Sequence, residues 1–170
     1  HMFVNCRKLT SVDVSSWDTS QVTKATALFE GCNALQEING IEDLDTSSMT
    51  AVNGMFSNCS SLTSLDLRKW KTSNVEDFGN MFDACSSLTS LQLNFDTSKA
   101  KYMGWMFKNA TALTELDLSM FDTRKVTATN QMFDGWTSDQ TVYYEPPFWS
   151  IGTTTLNSNI NWVVNITRSN

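Results

Sequence analysis

Phenylalanine recurs at Phe3, Phe29, Phe56, Phe82, Phe107 and Phe133, at intervals of 26, 27, 26, 25 and 26 residues. Met precedes five of the six, and Leu28 precedes Phe29. A fixed period in the twenties is the mark of a stacked array, in which each unit buries its apolar faces only against its neighbours. A chain of this kind presents a long surface rather than a central pocket.

Aligned on the phenylalanines, the sequence resolves into columns. Three residues on stand Cys6, Cys32, Cys59 and Cys85, then Ala110 and Trp136. Six on stand Leu9, Leu35, Leu62, Leu88 and Leu113, and nine on stand Val12, Ile38, Leu65, Leu91, Leu116 and Val142. A large residue follows (Trp17, Leu44, Trp70, Phe95, Phe121), then Asp18-Thr19-Ser20 and its equivalents, with Lys71 in the Asp position of the third unit.

The alternation around the leucines has the two-residue period of a strand, so parallel strands are expected near 9–14, 35–40, 62–67, 88–93 and 113–118. Apolar residues at seven, four, one and zero places before each Phe carry a helix-like period. They predict a short helical turn whose first N–H groups are capped by the Asp-Thr-Ser side chains. The expected fold is α/β: a right-handed leucine-rich-repeat-like solenoid with one parallel sheet, short helical turns and a C-terminal cap. Residues 1–136 form the repeats, and 137–170 hold a last partial rung and the cap, with a further strand within 160–167. The length changes of the second and fourth units fall between strand and aromatic, where a surface turn is expected to absorb them.

The stretches MFSNCSSLTSLDLRKWKTSNV at 55–75, MFDACSSLTSLQL at 81–93 and MFKNATALTELDLSMFDTRKV at 106–126 resemble the BspA-like leucine-rich-repeat surface proteins of bacteria, in the branch also found in mycoplasma lipoproteins. The resemblance covers roughly residues 2–136 and ends after Trp136, where the leucine column holds Asp139. It implies a secreted or wall-attached adhesin that contacts host molecules or other cells. It carries no catalytic residues across, because the family motif is structural.

The only histidine is His1. The opening His1-Met2 reads as a vector remnant, so the chain is expected to begin inside the array with any leader or anchor removed. Without a native histidine, Ser–His, Cys–His and imidazole metal chemistry fall away. No enzymatic activity, cofactor or metal is expected. Glu145, among aromatic residues, leaves only carboxylate chemistry, which needs a second acid close by. A net charge of −6 without a basic run argues against nucleic acid. No apolar stretch approaches the ~20 residues of a bilayer span, so no membrane insertion is expected. The four cysteines, one per rung in a column of small apolar residues, are expected to be buried free thiols; bridges Cys6–Cys32 and Cys59–Cys85 are the alternative.

The function expected is a non-catalytic extracellular binding or adhesion module, a monomer whose partner is a host extracellular protein or glycan. A rigid spacer that binds nothing is the alternative. Ice binding by the column Thr19, Thr46, Thr72, Thr97, Thr123 would require a flat strand array, and these residues fall in turns. Two surfaces are candidates for contact, because they vary between rungs. One is the strand face with Asp13, Asp66, Arg68, Glu115 and Asp117, favoured for its continuity. The other is the helical-turn face, where Tyr102 and Trp105 replace Ala51, Asp77 and Ala128, and Gly54, Asn80 and Gln131. Tyr143, Tyr144, Phe148, Trp149 and Trp162 are expected to pack as the cap rather than form a carbohydrate platform.

Overall fold

The computed structural model describes residues 2–145 and 159–165. Every expected strand window contains a short strand: β1 (Ser11–Asp13), β2 (Glu37–Asn39), β3 (Ser64–Asp66), β4 (Ser90–Gln92), β5 (Glu115–Asp117), β6 (Thr141–Tyr144) and β7 (Asn161–Val164). All pairing among them is parallel. The strands form three sheets, β1-β2, β3-β4 and β5-β6-β7, where one sheet was expected.

The reason lies in rung length. Val12 pairs with Ile38, Leu65 with Leu91 and Leu116 with Val142, each 26 residues apart. The two unpaired junctions, Ile38 to Leu65 and Leu91 to Leu116, span 27 and 25. In the paired rungs the residue after the strand donates its N–H to the next rung: Val14 to Asn39 O at 2.9 Å, Leu67 to Gln92 O at 2.8 Å and Leu118 to Tyr143 O at 2.8 Å. In the second rung that residue is Gly40, at φ 79°, leading into a 3-10 turn over Ile41–Asp43. The corner next to the strand takes up the extra residue, and the strand pairing gives way there.

The expected helical turns are absent. Among the described residues the only helical element is that 3-10 turn. The Phe-bearing segment is instead a chain of tight turns, in which alternate N–H groups stay within the rung and leave it. Met55 N, Ser57 N and Cys59 N reach back three residues to Val52 O, Gly54 O and Phe56 O. Val52 N, Gly54 N, Phe56 N and Asn58 N cross to Asp77 O, Gly79 O, Met81 O and Asp83 O of the next rung. Each rung has two left-handed residues, two before and two after the Phe, such as Gly54 and Asn58, Asn80 and Ala84, Trp105 and Asn109. A left-handed residue ends a right-handed helix after one turn. The class is therefore mostly β rather than α/β.

The core is a set of ladders. Phe3, Phe29, Phe56, Phe82, Phe107 and Phe133 stack face to face with centroids 5.5–6.0 Å apart. A second file runs Trp70, Phe95, Phe121 at 6.3 Å. The Phe file ends against two indole edges, Trp136 and Trp162, each 5.3 Å from Phe133. Trp162 lies on β7, which pairs with β6 as the expected further strand; Phe148 and Trp149 lie outside the described residues.

The cysteines are all unbridged, Cys6 half-buried and the others buried. Cys32, Cys59 and Cys85 donate their thiols to Phe3 O, Phe29 O and Phe56 O at 3.1–3.2 Å. Trp136, in the same column, makes the same bond from its indole to Phe107 O at 2.7 Å. Burial pushes the Cys59 thiol well up and that of Cys85 to about 12, which keeps both protonated and inert.

The Asp-Thr-Ser motif acts differently from a helix cap. Asp18, Asp45 and Asp96 accept the N–H two residues on, closing local turns. The threonines are buried and donate to the next rung: Thr19 to Asp45 O, Thr46 to Lys71 O, Thr72 to Asp96 O and Thr97 to Asp122 O, at 2.9–3.2 Å. An ice-binding array needs those hydroxyls in solvent, and they are in the core.

Candidate functional site

On the strand face, Asp13, Asp66, Arg68, Glu115 and Asp117 are all exposed. The three aspartates end their strands with the same local turn. Each Oδ1 accepts the N–H two residues on, from Ser15 at 2.9 Å, Arg68 at 3.1 Å and Ser119 at 2.9 Å. The side chain of Arg68 also turns back on Asp66 in a two-pronged ion pair, Nε to Oδ1 at 2.9 Å and Nη2 to Oδ2 at 2.6 Å. Those bonds hold the Asp66 carboxyl down at about 2. Hydrogen bonds from the Ser15 hydroxyl and N–H likewise lower Asp13. Asn39 and Gln92 occupy this column in the two rungs that fail to pair onward. The alternation of aspartate with amide thus follows the strand-end turns. A cleft of about 220 Å³ opens between β2 and β3 where their ladder is missing.

The opposite face, carrying the tight turns, is continuous. Lys24, Ala51, Asp77, Tyr102 and Ala128 bridge in parallel from rung to rung. Tyr102 and Trp105 project from it, 51% and 37% exposed. Trp105 belongs to a left-handed column whose other members are Ala27, Gly54, Asn80 and Gln131. A bulky residue at φ 57° is a costly occupant, by ~1–2 kcal/mol. Its indole Nε1 donates to Gln131 Oε1 at 2.6 Å, which fixes the ring along the array.

Beside this aromatic pair, across the first three rungs, runs a groove of about 340 Å³. Ala27 and Gly54, small members of the left-handed column, are among its lining residues. Glu30, Asn53, Asn80 and Asp83 also line it. Asn53 Oδ1 accepts from Thr26 Oγ1 at 2.7 Å. Among the described residues no hydrogen bond engages the Glu30 or Asp83 carboxylates, the Asn80 side chain or the Asn53 Nδ2. Burial raises the Asp83 carboxyl, with Lys108 acting the other way. Lys108 itself is 3.6 Å from Asp134.

Tyr102 and Trp105, expected on one side of a helical turn, lie on tight turns instead, and both are exposed. The sequence reading passed over the groove residues. Their signal was the column two before Phe, where Gly54 and Asn80 are residue types that tolerate positive φ. No group of three or more Cys, Asp, Glu or His is placed to hold a metal ion among the described residues. Oε1 of Glu145 is buried there without a hydrogen-bond partner. No helix is long and apolar enough to cross a membrane.

Residues 1–112 and 66–143 match the family described as Mycoplasma protein of unknown function, DUF285. The chain belongs to that family. The two matches overlap and together reach into β6. No curated protein and no solved structure matches the chain.

Proposed function

We propose that this chain is a non-catalytic extracellular bacterial binding or adhesion module, a right-handed leucine-rich-repeat-like solenoid of the BspA-like, mycoplasma-lipoprotein type. Its partner is a host protein or glycan at a cell surface. The reading is supported by a division of labour between columns. Cys, Phe, Leu and Thr positions are spent on stacking, while residues that differ between rungs face solvent. The single observation that carries it is Trp105, a large aromatic kept half in solvent at a backbone position that favours glycine. Strain of that kind persists where the side chain has a use.

The turn face is the stronger candidate surface. The strand-face aspartates already satisfy local turns, and Arg68 is taken up by Asp66, so these groups give up existing bonds to meet a partner. The same observation favours the second reading, a rigid spacer, for the strand face alone. Binding of the purified chain to host cells and to arrays of matrix proteins and glycans tests both readings. Tyr102→Ala with Trp105→Ala is expected to weaken binding, and Asp66→Lys with Asp117→Lys to leave it largely intact. The reverse pattern moves the site to the strand face, and silence from the wild-type chain on every surface favours the spacer.

A further inference from the structure

We infer that the groove over the first three rungs and the Tyr102–Trp105 pair beside it form one site for a neutral, hydroxyl-rich oligosaccharide. This deepens the binding-module reading and rests on it. Sugar rings have two chemical faces to satisfy. Their C–H faces lie on aromatic rings, and their hydroxyls exchange hydrogen bonds with carboxylates and amides. The turn that carries the aromatic pair adjoins the last rung of the groove, where Asp77 bridges to Tyr102 and Asn80 N donates to Gly104 O at 2.9 Å. Trp105 offers an indole whose orientation is fixed by Gln131, with exposed Tyr102 three residues away. A ring held in place before binding loses little freedom on contact. The groove offers Glu30, Asp83, Asn80 and Asn53, whose free carboxylates and amides accept from and donate to adjacent hydroxyls.

Other ligand classes fit less well. Two carboxylates lining the groove repel sulfated or sialylated sugars and phosphates, and the nearest rung-four base, Lys108, is beside Asp134. An extended peptide gains affinity from free backbone groups along a strand edge. On this face alternate N–H groups are already committed to the next rung. A peptide side chain would also want an apolar pocket, and the groove is walled by polar groups.

The columns permit a clean test. Trp105→Gly restores the residue that Gly54 supplies at the same place in the second rung, and φ 57° suits glycine. The variant is therefore expected to melt no lower than the parent. Calorimetric titration of the whole chain with neutral hexasaccharides of glucose, mannose and N-acetylglucosamine, and with a heparin hexasaccharide, is expected to show saturable binding to at least one neutral sugar. Trp105→Gly should weaken it about tenfold or more, the loss of a hot-spot aromatic. Glu30→Gln and Asp83→Asn should each weaken it severalfold, and Arg68→Ala should not. No heat with any neutral sugar, preference for heparin, or binding that survives Trp105→Gly overturns the inference. A parallel measurement on intact and glycosidase-treated mammalian cells separates the two levels. Cell binding that persists after deglycosylation overturns the sugar site and leaves the binding module standing, whereas binding to neither sugar nor cell removes both.

Discussion

On the turn face the bridges from Lys24 through Ala51, Asp77 and Tyr102 to Ala128 run unbroken over spacings of 27, 26, 25 and 26 residues. On the strand face of the same rungs, pairing between rungs survives only where the spacing is 26. The two faces receive the same insertions and deletions, and one tolerates them. Four N–H groups per rung cross between turns, and the large Phe rings beneath them fix the repeat distance. A three-residue strand has few bonds, and its last one comes from the residue that enters the altered corner. The aligned, aromatic-backed face sets the stack and the strand face follows it.

The largest expected effect is therefore at the centre of the Phe file. Phe82 is fully buried between Phe56 at 5.8 Å and Phe107 at 5.6 Å. Phe82→Ala should cost ~3–5 kcal/mol, read from urea unfolding, and Leu91→Ala on the strand face should fall at the lower end of ~2–5 kcal/mol. If Leu91→Ala costs as much as Phe82→Ala, the two faces share the stacking equally and the comparison fails.

The buried threonines tie the two faces together at the corner. Thr97 Oγ1 donates to Asp122 O at 3.0 Å and accepts from Asp122 N at 2.7 Å. Thr97→Val keeps the shape and strands both backbone groups, which should cost ~1–3 kcal/mol. Thr97→Ser keeps the hydroxyl and should lose less. Equal losses in the two variants would mean that the methyl group, not the hydrogen-bonded bridge, is what matters there.

Ala84 sits at φ 56° on the turn face, where Gly31 and Gly135 hold the equivalent place. Ala84→Gly relieves that strain but frees the unfolded chain, so stability should change by no more than ~1 kcal/mol, toward gain. The same exchange at Ala100, buried where no positive φ is found, should only destabilise. A loss at Ala84 as large as at Ala100 would show that the left-handed columns do not define this face.

Much of this was legible in the chain. The period, the strand positions, the Phe file and the unpaired cysteines follow from columns that repeat five or six times. The turn face was misread because apolar residues at seven, four, one and zero before Phe have helical spacing whether the backbone coils continuously or in separate turns. What distinguishes the two is the Gly and Asn content of Gly31, Gly54, Asn58, Asn80, Asn109 and Gly135, which signals positive φ. The Asp-Thr-Ser motif looked like surface capping because Thr is polar; its burial follows from a backbone acceptor one rung away, which no local pattern reveals. The aromatic pair was visible as a departure from its columns. The groove beside it was not, since it depends on three rungs aligning their small residues.

The smallest effect probes the strand face through pH. The bonds from Arg68 depress the Asp66 carboxyl from the ordinary 3.8 to about 2. A depressed carboxyl contributes stability that is complete above the unfolded value and is lost as pH falls through the folded one. For Asp66 the window is therefore from about 3.8 down to about 2. Its side chain is 47% exposed and that of Arg68 61%, so solvent screening keeps the contribution within a surface pair's ~0–1 kcal/mol. In an NMR titration, Arg68→Ala should move the Asp66 carboxyl back toward 3.8 but leave it somewhat low, because the residue-68 N–H still donates to it. Arg68→Ala should leave the Phe82 environment unchanged, since the turn face holds the stack. If the variant instead loosens the Phe file, or if Asp66 titrates normally in the parent, the strand-end turn is not the closed local unit that leaves the opposite face free to carry the site.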